Sequence, residues 1–211
     1  MTSAERFERA WHAVGAGEGA QRALQRLQAA YAQPHRHYHT LEHIEACLAW
    51  LDWTWASAQR PHEILLALWY HDAVYDPLAS DNEAQSVTLM RSDLRAADAA
   101  LDAIERVAAL IMATREHSAS ASSPDAALLV DIDLSILGAA PETFQRFERA
   151  IRAEYAAIEP RLYANGRAGV LKRLAARSPL YATELINSEL SAQAMRNLQG
   201  AVERWEREAL G

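Results

Sequence analysis

His71 and Asp72 form a doublet of two side-chain types that bind metal ions and move protons. The seven residues before the doublet, 64–70, read Ile-Leu-Leu-Ala-Leu-Trp-Tyr. A helix that is apolar on every side is normally buried, so its last turn is carried into the interior with it. Because an unpaired buried carboxylate is strongly unfavourable, Asp72 must lose its charge, meet a cation or bind a metal ion there.

A second apolar segment, 128–138, contains two acids, Asp131 and Asp133. Helical residues two positions apart point in different directions, so at most one of the two acids faces the same interior site as Asp72. A helix cap or a pair with an arginine explains the other. The segment ends at Gly138, a residue type that suits the C-terminus of a helix.

A group of histidines precedes both acidic elements, at His35, His37, His39 and His43. His39 and His43 are four residues apart, the spacing that lets two imidazoles on one helical face reach one metal ion. Spacing alone leaves both as candidate ligands. Combined with His71 and two aspartates, a histidine here gives a mixed nitrogen and oxygen donor set that suits Mn, Fe, Co, Ni, Zn or Mg.

The elements that must position these side chains are predicted to be helices. Alanine- and leucine-rich segments favour helix, and the prolines between them mark first turns or ends. Two runs place apolar residues at three- and four-residue steps, typical of one helical face: Leu41, Ile44, Leu48, Leu51 and Trp55; and Phe144, Phe147, Ile151, Tyr155 and Ile158. No convincing alternating strand pattern is found, so the sequence predicts an all-α, single-domain bundle over residues 1–211 with a metal site in its core.

Composition excludes several classes of partner. The 211 residues carry a net charge of -7, which argues against a nucleic-acid binder, because such affinity depends on clustered Lys and Arg. A small phosphate ester remains compatible, since a bound metal ion can outweigh the global charge. The single cysteine, Cys47, fits a reducing compartment, and no apolar stretch approaches the ~20 residues of a membrane span. We therefore expect a cytoplasmic protein without a membrane partner.

Four stretches of the chain resemble one known superfamily. Their order and residues are similar to a bacterial branch of predicted phosphohydrolases of the HD-domain superfamily, which are metal-dependent and helical, and the resemblance extends over about residues 31–197. The stretches are Tyr-His-Thr-Leu-Glu-His at 38–43, Trp-Tyr-His-Asp-Ala-Val-Tyr-Asp at 69–76, Asp-Asn-Glu-Ala-Gln-Ser at 81–86 and Asp-Ile-Asp-Leu-Ser-Ile-Leu-Gly at 131–138. The doublet at 71–72 ends an apolar helix in this arrangement.

The resemblance implies a ligand set. It assigns His43, His71, Asp72 and Asp133 to one divalent metal ion, which would also compensate the charge of the Asp72 carboxylate in the interior. His43 is preferred to His39 because the first histidine of the superfamily lies inside a helix, and Asp133 to Asp131 because the helix continues directly after it.

The resemblance also implies catalytic roles. Asp72 would orient or deprotonate the attacking water, and Glu83 and His117 would line the site. Each of the last two has a simpler explanation: Glu83 suits the first turn of a helix, and His117 suits a helix C-terminus.

The activity that the resemblance implies is hydrolysis of a small phosphate ester or anhydride, with a nucleotide as the expected substrate, by metal-activated water. Two alternatives differ in class. One is a di-iron oxygenase of the same fold, which needs further ligands that only His39, Glu83 and His117 are placed to supply. The other is a noncatalytic helical module that binds a metal ion or a nucleotide.

Overall fold

The described residues of the computed structural model, 2–115 and 123–210, form ten α-helices, two short 3-10 helices and no strand. This confirms the all-α class. The chain divides into two compact units, Met1–Asp133 and Leu134–Gly211. The single domain over residues 1–211 stays a prediction.

The described residues of the first unit form seven α-helices. They are α1 (Ser3–Ala13), α2 (Ala20–Tyr31), α3 (Leu41–Thr54), α4 (Pro61–Tyr70), α5 (Asn82–Ala96), α6 (Leu101–Thr114) and α7 (Pro124–Asp133). The predicted stripe after Thr40 forms α3 as far as Leu51, with Ile44, Leu48 and Leu51 buried, whereas Trp55 begins a 3-10 helix. Proline begins α4 and α7, where its fixed φ suits the first helical turn and its missing N–H removes no helical bond.

Helix α4 is the centre of the first unit. Every one of its residues from Glu63 to Tyr70 is buried, and it packs against α1, α3, α5, α6 and α7. The apolar run therefore forms the buried helix that the sequence predicts. Its last turn carries His71 and Asp72 into the interior of this unit, since His71 directly follows Tyr70 in helical conformation.

Charged side chains fix the start of α4. The two carboxylate oxygens of Asp125 accept hydrogen bonds from the backbone N–H groups of Gln59 and Arg60 at 2.8 and 2.9 Å. Glu63 in the first turn pairs with Arg106 of α6 at 2.8 Å. Asp125 thus satisfies backbone N–H groups that a helix N-terminus leaves unpaired. These contacts hold α4 at its N-terminus, the end opposite the doublet.

Helix α7 ends at Asp133 and continues into a 3-10 helix at Leu134–Gly138. Gly138 does not adopt the positive φ typical of a helix cap, so its expected capping role is wrong. A Cβ atom at this position would lie 2.6 Å from the Cβ atom of Leu190. Glycine is therefore required here by close packing.

The second unit contains α8 (Pro141–Glu154), α9 (Pro160–Ala175) and α10 (Glu184–Leu210). The stripe that begins at Phe144 does not continue as helix to Ile158, because α8 ends at Glu154. Arg152 instead donates to the carbonyl oxygens of Tyr155 at 2.7 Å and Ile158 at 3.2 Å, and so stabilises the turn that leads to Pro160. Among the described residues, no helix is both long enough and apolar enough to cross a membrane.

A fully buried carboxylate organises the second unit. Glu148 of α8 has an exposed fraction of 0%. It accepts hydrogen bonds from Arg167 of α9, from Arg204 of α10 at 3.3 Å and from the indole N–H of Trp205 at 2.6 Å. Burying this charge is tolerated because several donors compensate it, and the same bonds join the three helices.

Two substitutions on α9 test this network. Arg167→Met leaves Glu148 buried with fewer donors and should lower the free energy of unfolding by about 3 kcal/mol. Lys172→Met removes an exposed pair with Glu206 and should change it by no more than about 1 kcal/mol. The contrast follows from exposure, since the side chain of Arg167 is 13% exposed and that of Lys172 is 56% exposed. Urea unfolding measures both, and equal losses would contradict the prediction.

Candidate metal centre

His71 presents one defined ring nitrogen to the interior. Its Nδ1 lies 2.8 Å from the carbonyl oxygen of Leu68, one turn earlier along α4. A carbonyl only accepts, so Nδ1 carries the hydrogen and the Nε2 atom of the neutral ring holds the lone pair. The end of α4 therefore orients His71 so that Nε2 is the ring nitrogen that could bind a metal ion.

Two further helices bring donors to this nitrogen. His43, buried on the inner face of α3, places its Nε2 at 3.3 Å from the Nε2 of His71. Asp133, the last residue of α7, places its Oδ1 at 3.2 Å from Nε2 of His43 and at 3.5 Å from Nε2 of His71. These three residues, His43, His71 and Asp133, form the donor group, which could hold a metal ion.

The spacing of the three donor atoms fits a common ion. Ligands that lie about 2.1 Å from one ion are about 3.0 Å apart in octahedral and about 3.4 Å apart in tetrahedral coordination. The observed triangle, with sides of 3.2, 3.3 and 3.5 Å, falls close to these values. The donor set of two imidazole nitrogens and a carboxylate oxygen is also one that divalent transition metals accept.

Asp72 lies beside this group. Its Oδ2 is 2.9 Å from Nε2 of His71, 3.8 Å from Nε2 of His43 and 3.9 Å from Nε2 of His39. The side chain of Asp72 is 16% exposed, compared with 3% for His43. All four residues of the predicted ligand set therefore meet in the first unit, with Asp72 more open to solvent than either His43 or His71.

The electrostatics of the group favour a positive charge. Burial acts to lower the pKa of His71, but the carboxylates of Asp72 and Asp133 outweigh it and raise this pKa well above the ordinary value of 6.5. Burial acts to raise the pKa of Asp72, but the adjacent His71 and His39 lower it below its usual range. Two carboxylates beside buried imidazoles thus stabilise an added proton or metal ion.

Cys47 borders the site without joining it. Its Sγ lies 3.7 Å from Nδ1 of His43 on the preceding turn of α3. Burial, together with the charges of Asp133 and Asp72, raises the pKa of this thiol well above its ordinary value. Burial therefore favours the neutral form of the Cys47 thiol.

The structure separates the alternatives that spacing left open. His43 and Asp133 belong to the donor group, whereas His39 and Asp131 do not. His39 precedes α3 and is half-buried, with its ring 4.2 Å from that of Tyr75. Asp131 is buried within α7.

The other two predicted catalytic residues are Glu83 and His117. Glu83 is half-buried in the first turn of α5, where its charge suits the helix N-terminus, and it is not part of the donor group. His117 lies outside the described residues. A catalytic role for either residue stays a prediction.

One residue at the site carried no signal in the sequence. Arg36 is buried and contacts the backbone beside the doublet, yet its sequence position, between two histidines and after a proline, resembles that of an exposed loop residue. Comparison with known proteins adds no assignment: no family model matches the chain, no curated protein matches it, and no solved structure matches it.

The raised pKa of His71 predicts how stability depends on pH. Because this pKa lies above the unfolded value of 6.5, its contribution to stability is full below pH 6.5 and is lost as pH rises through the folded value. We expect the melting temperature of the metal-free protein to fall over that interval. With excess Zn²⁺ the trend should reverse, because the ion competes with the proton for Nε2.

Thermal unfolding over a pH series, with and without Zn²⁺, measures both trends. The difference in melting temperature between wild type and His71→Gln separates the effect of His71 from that of other titrating groups. One such group is His62, whose pKa is lowered by burial. If the melting temperature of the metal-free wild type rose relative to that of His71→Gln as pH increased above 6.5, the raised pKa of His71 would be contradicted.

Proposed function

We propose that the protein is a metal-dependent phosphohydrolase that acts on a small phosphate ester or anhydride, with a nucleotide as its substrate class. One observation carries the proposal: donors from α3, α7 and the end of α4 converge at spacings that suit a single divalent ion. The resemblance of the surrounding sequence to HD-domain phosphohydrolases supports the reaction class.

The chain supplies the ligands and the ion supplies the chemistry. His43, His71 and Asp133 would hold the ion, and Asp72 completes the set. A divalent ion lowers the pKa of bound water and neutralises phosphoryl oxygens, so few further catalytic groups are required. Asp72, the more exposed of the two residues of the doublet, is the carboxylate that accepts a hydrogen bond from an incoming water at its Oδ2.

The charge of the protein favours a small substrate. A net charge of -7 disfavours long polyanions, which need extended basic surfaces. A single phosphorylated molecule needs only local compensation, and a divalent ion at the donor group provides it. The nitrogen and oxygen donors favour Mn, Fe, Co, Ni or Zn among the candidate ions, with Mg as a harder alternative.

A phosphate-release screen over nucleotides and other phosphate esters tests the proposal, with Mn²⁺, Co²⁺, Ni²⁺, Zn²⁺ and Mg²⁺ supplied separately. Asp72→Asn keeps the side-chain shape but removes the charge. We expect it to lower metal affinity and turnover together by at least about 100-fold, which is more than the loss of a residue that only hydrogen-bonds to a ligand usually causes. Asp52→Asn, an exposed position on α3, is the matched control and should retain both.

Three results would contradict the proposal. Full turnover in Asp72→Asn would show that the site lies elsewhere. A metal-bound protein without turnover on any substrate would indicate a binding module. A stable, dioxygen-reactive di-iron centre, measured by iron content and absorption, would indicate the oxygenase alternative.

A further inference from the structure

Arg36 is a buried cation at the edge of the donor group. It lies between α2 and α3 and has an exposed fraction of 5%. Its Nη1 donates to the carbonyl oxygen of Asp72 at 2.6 Å, and its Nη2 donates to that of Ala73 at 3.0 Å. The guanidinium therefore contacts the backbone of a predicted metal ligand and of the residue after it.

The same side chain also reaches the segment before α3. Nη1 donates to the carbonyl oxygen of His39 at 3.3 Å, and Nε donates to the side chain of Gln33 at 3.1 Å. His39 lies four residues before His43, the donor that α3 contributes. One guanidinium thus joins the two chain segments that lead into His43 and out of His71.

Two of the carbonyls that Arg36 binds, those of Asp72 and Ala73, lie just beyond the end of α4. Helix α4 ends at Tyr70, and the last carbonyl groups of a helix and those beyond it need other donors. In this turn, the Ala73 N–H bonds to Tyr70, while the Val74 N–H uses the hydroxyl of Ser86. Side-chain groups therefore help to hold this turn, and Arg36 supplies two hydrogen bonds to its carbonyl oxygens.

Aromatic rings hold the guanidinium in place. It lies 5.1 Å from the ring centre of Tyr31 and 5.4 Å from that of Tyr75. Tyr31 is itself anchored, since its hydroxyl donates to the carbonyl oxygen of Trp69 at 3.0 Å. These cation–π contacts restrict the plane of the guanidinium, and with it the directions of its N–H groups.

We propose that Arg36 is a positioning residue of the metal centre, which keeps the Asp72 carboxylate and the His43 imidazole at ligand spacing by fixing the backbone of Asp72 and the segment that leads into His43. The inference rests on the proposed function, because it concerns the same ion. A lysine cannot replace the arginine here, since one ammonium group does not reach several carbonyls in the planar fork that a guanidinium offers.

Co²⁺ titration of the full chain, followed by visible absorption, tests the proposal. Arg36→Lys should weaken Co²⁺ binding by about 10- to 100-fold, the usual effect of losing a group that orients a ligand. Arg152→Lys is the matched control. Arg152 also binds two carbonyls after a helix and contacts a tyrosine ring, but it lies in the second unit, which contributes none of the four predicted ligands.

A rescue experiment separates positioning from folding. Arg36→Ala should regain Co²⁺ affinity when guanidinium is added at a concentration below that which unfolds the protein, and ammonium at the same concentration should not restore it. The Co²⁺ spectrum should return to that of the wild type. Arg152→Ala should show neither the loss nor the rescue.

The outcomes are distinguishable. Wild-type affinity in Arg36→Lys overturns the positioning role and leaves the proposed metal centre standing. A wild type that binds no Co²⁺ overturns the metal centre, and the positioning role falls with it. Unfolding of both Arg36 variants, with Arg152 variants folded, assigns a purely structural role to Arg36 and also overturns the proposal.

Discussion

The structure of the first unit depends on how two carboxylates are accommodated beside a buried helix end. Asp72 and Asp133 lie within 3.5 Å of the imidazole of His71, in a region that α4 makes largely apolar. Such charges are unstable in a protein interior without a compensating cation. The carboxylates of Asp72 and Asp133 accordingly raise the pKa of His71, because the protonated imidazole compensates their charge.

The remaining elements of the first unit make that arrangement rigid. Asp125 and the pair of Glu63 with Arg106 fix the start of α4, while Arg36 binds the turn after its end. Helix α3 begins two residues before His43 and helix α7 ends at Asp133, so one end of each helix brings a donor to the end of α4. The second unit is also held by buried or half-buried charged groups. Arg152 binds the carbonyl oxygen of Tyr155 after α8, and Glu148 joins α8, α9 and α10.

Much of the fold was predictable because its causes are local. The burial of α4 follows from its composition, the inner face of α3 follows from three- and four-residue spacing, and proline marks the start of several helices. One expectation was wrong because a contact distant in sequence decides it: Gly138 avoids a clash with Leu190 and does not cap. The stripe after Phe144 differs locally, since α8 ends at Glu154 and Arg152 binds the carbonyl oxygens of Tyr155 and Ile158 just beyond it.

The sequence by itself determined the all-α class, the position of the doublet at the end of a buried helix and the types of side chain available for a metal ion, because composition and periodicity act along the chain. Spacing left His39 and His43, and likewise Asp131 and Asp133, open as candidate ligands. The tertiary structure sets how α3 and α7 face the end of α4, and it thereby brings His43 and Asp133 together with His71. It also made Arg36 part of the site, because hydrogen bonds to backbone carbonyls leave no pattern in the sequence.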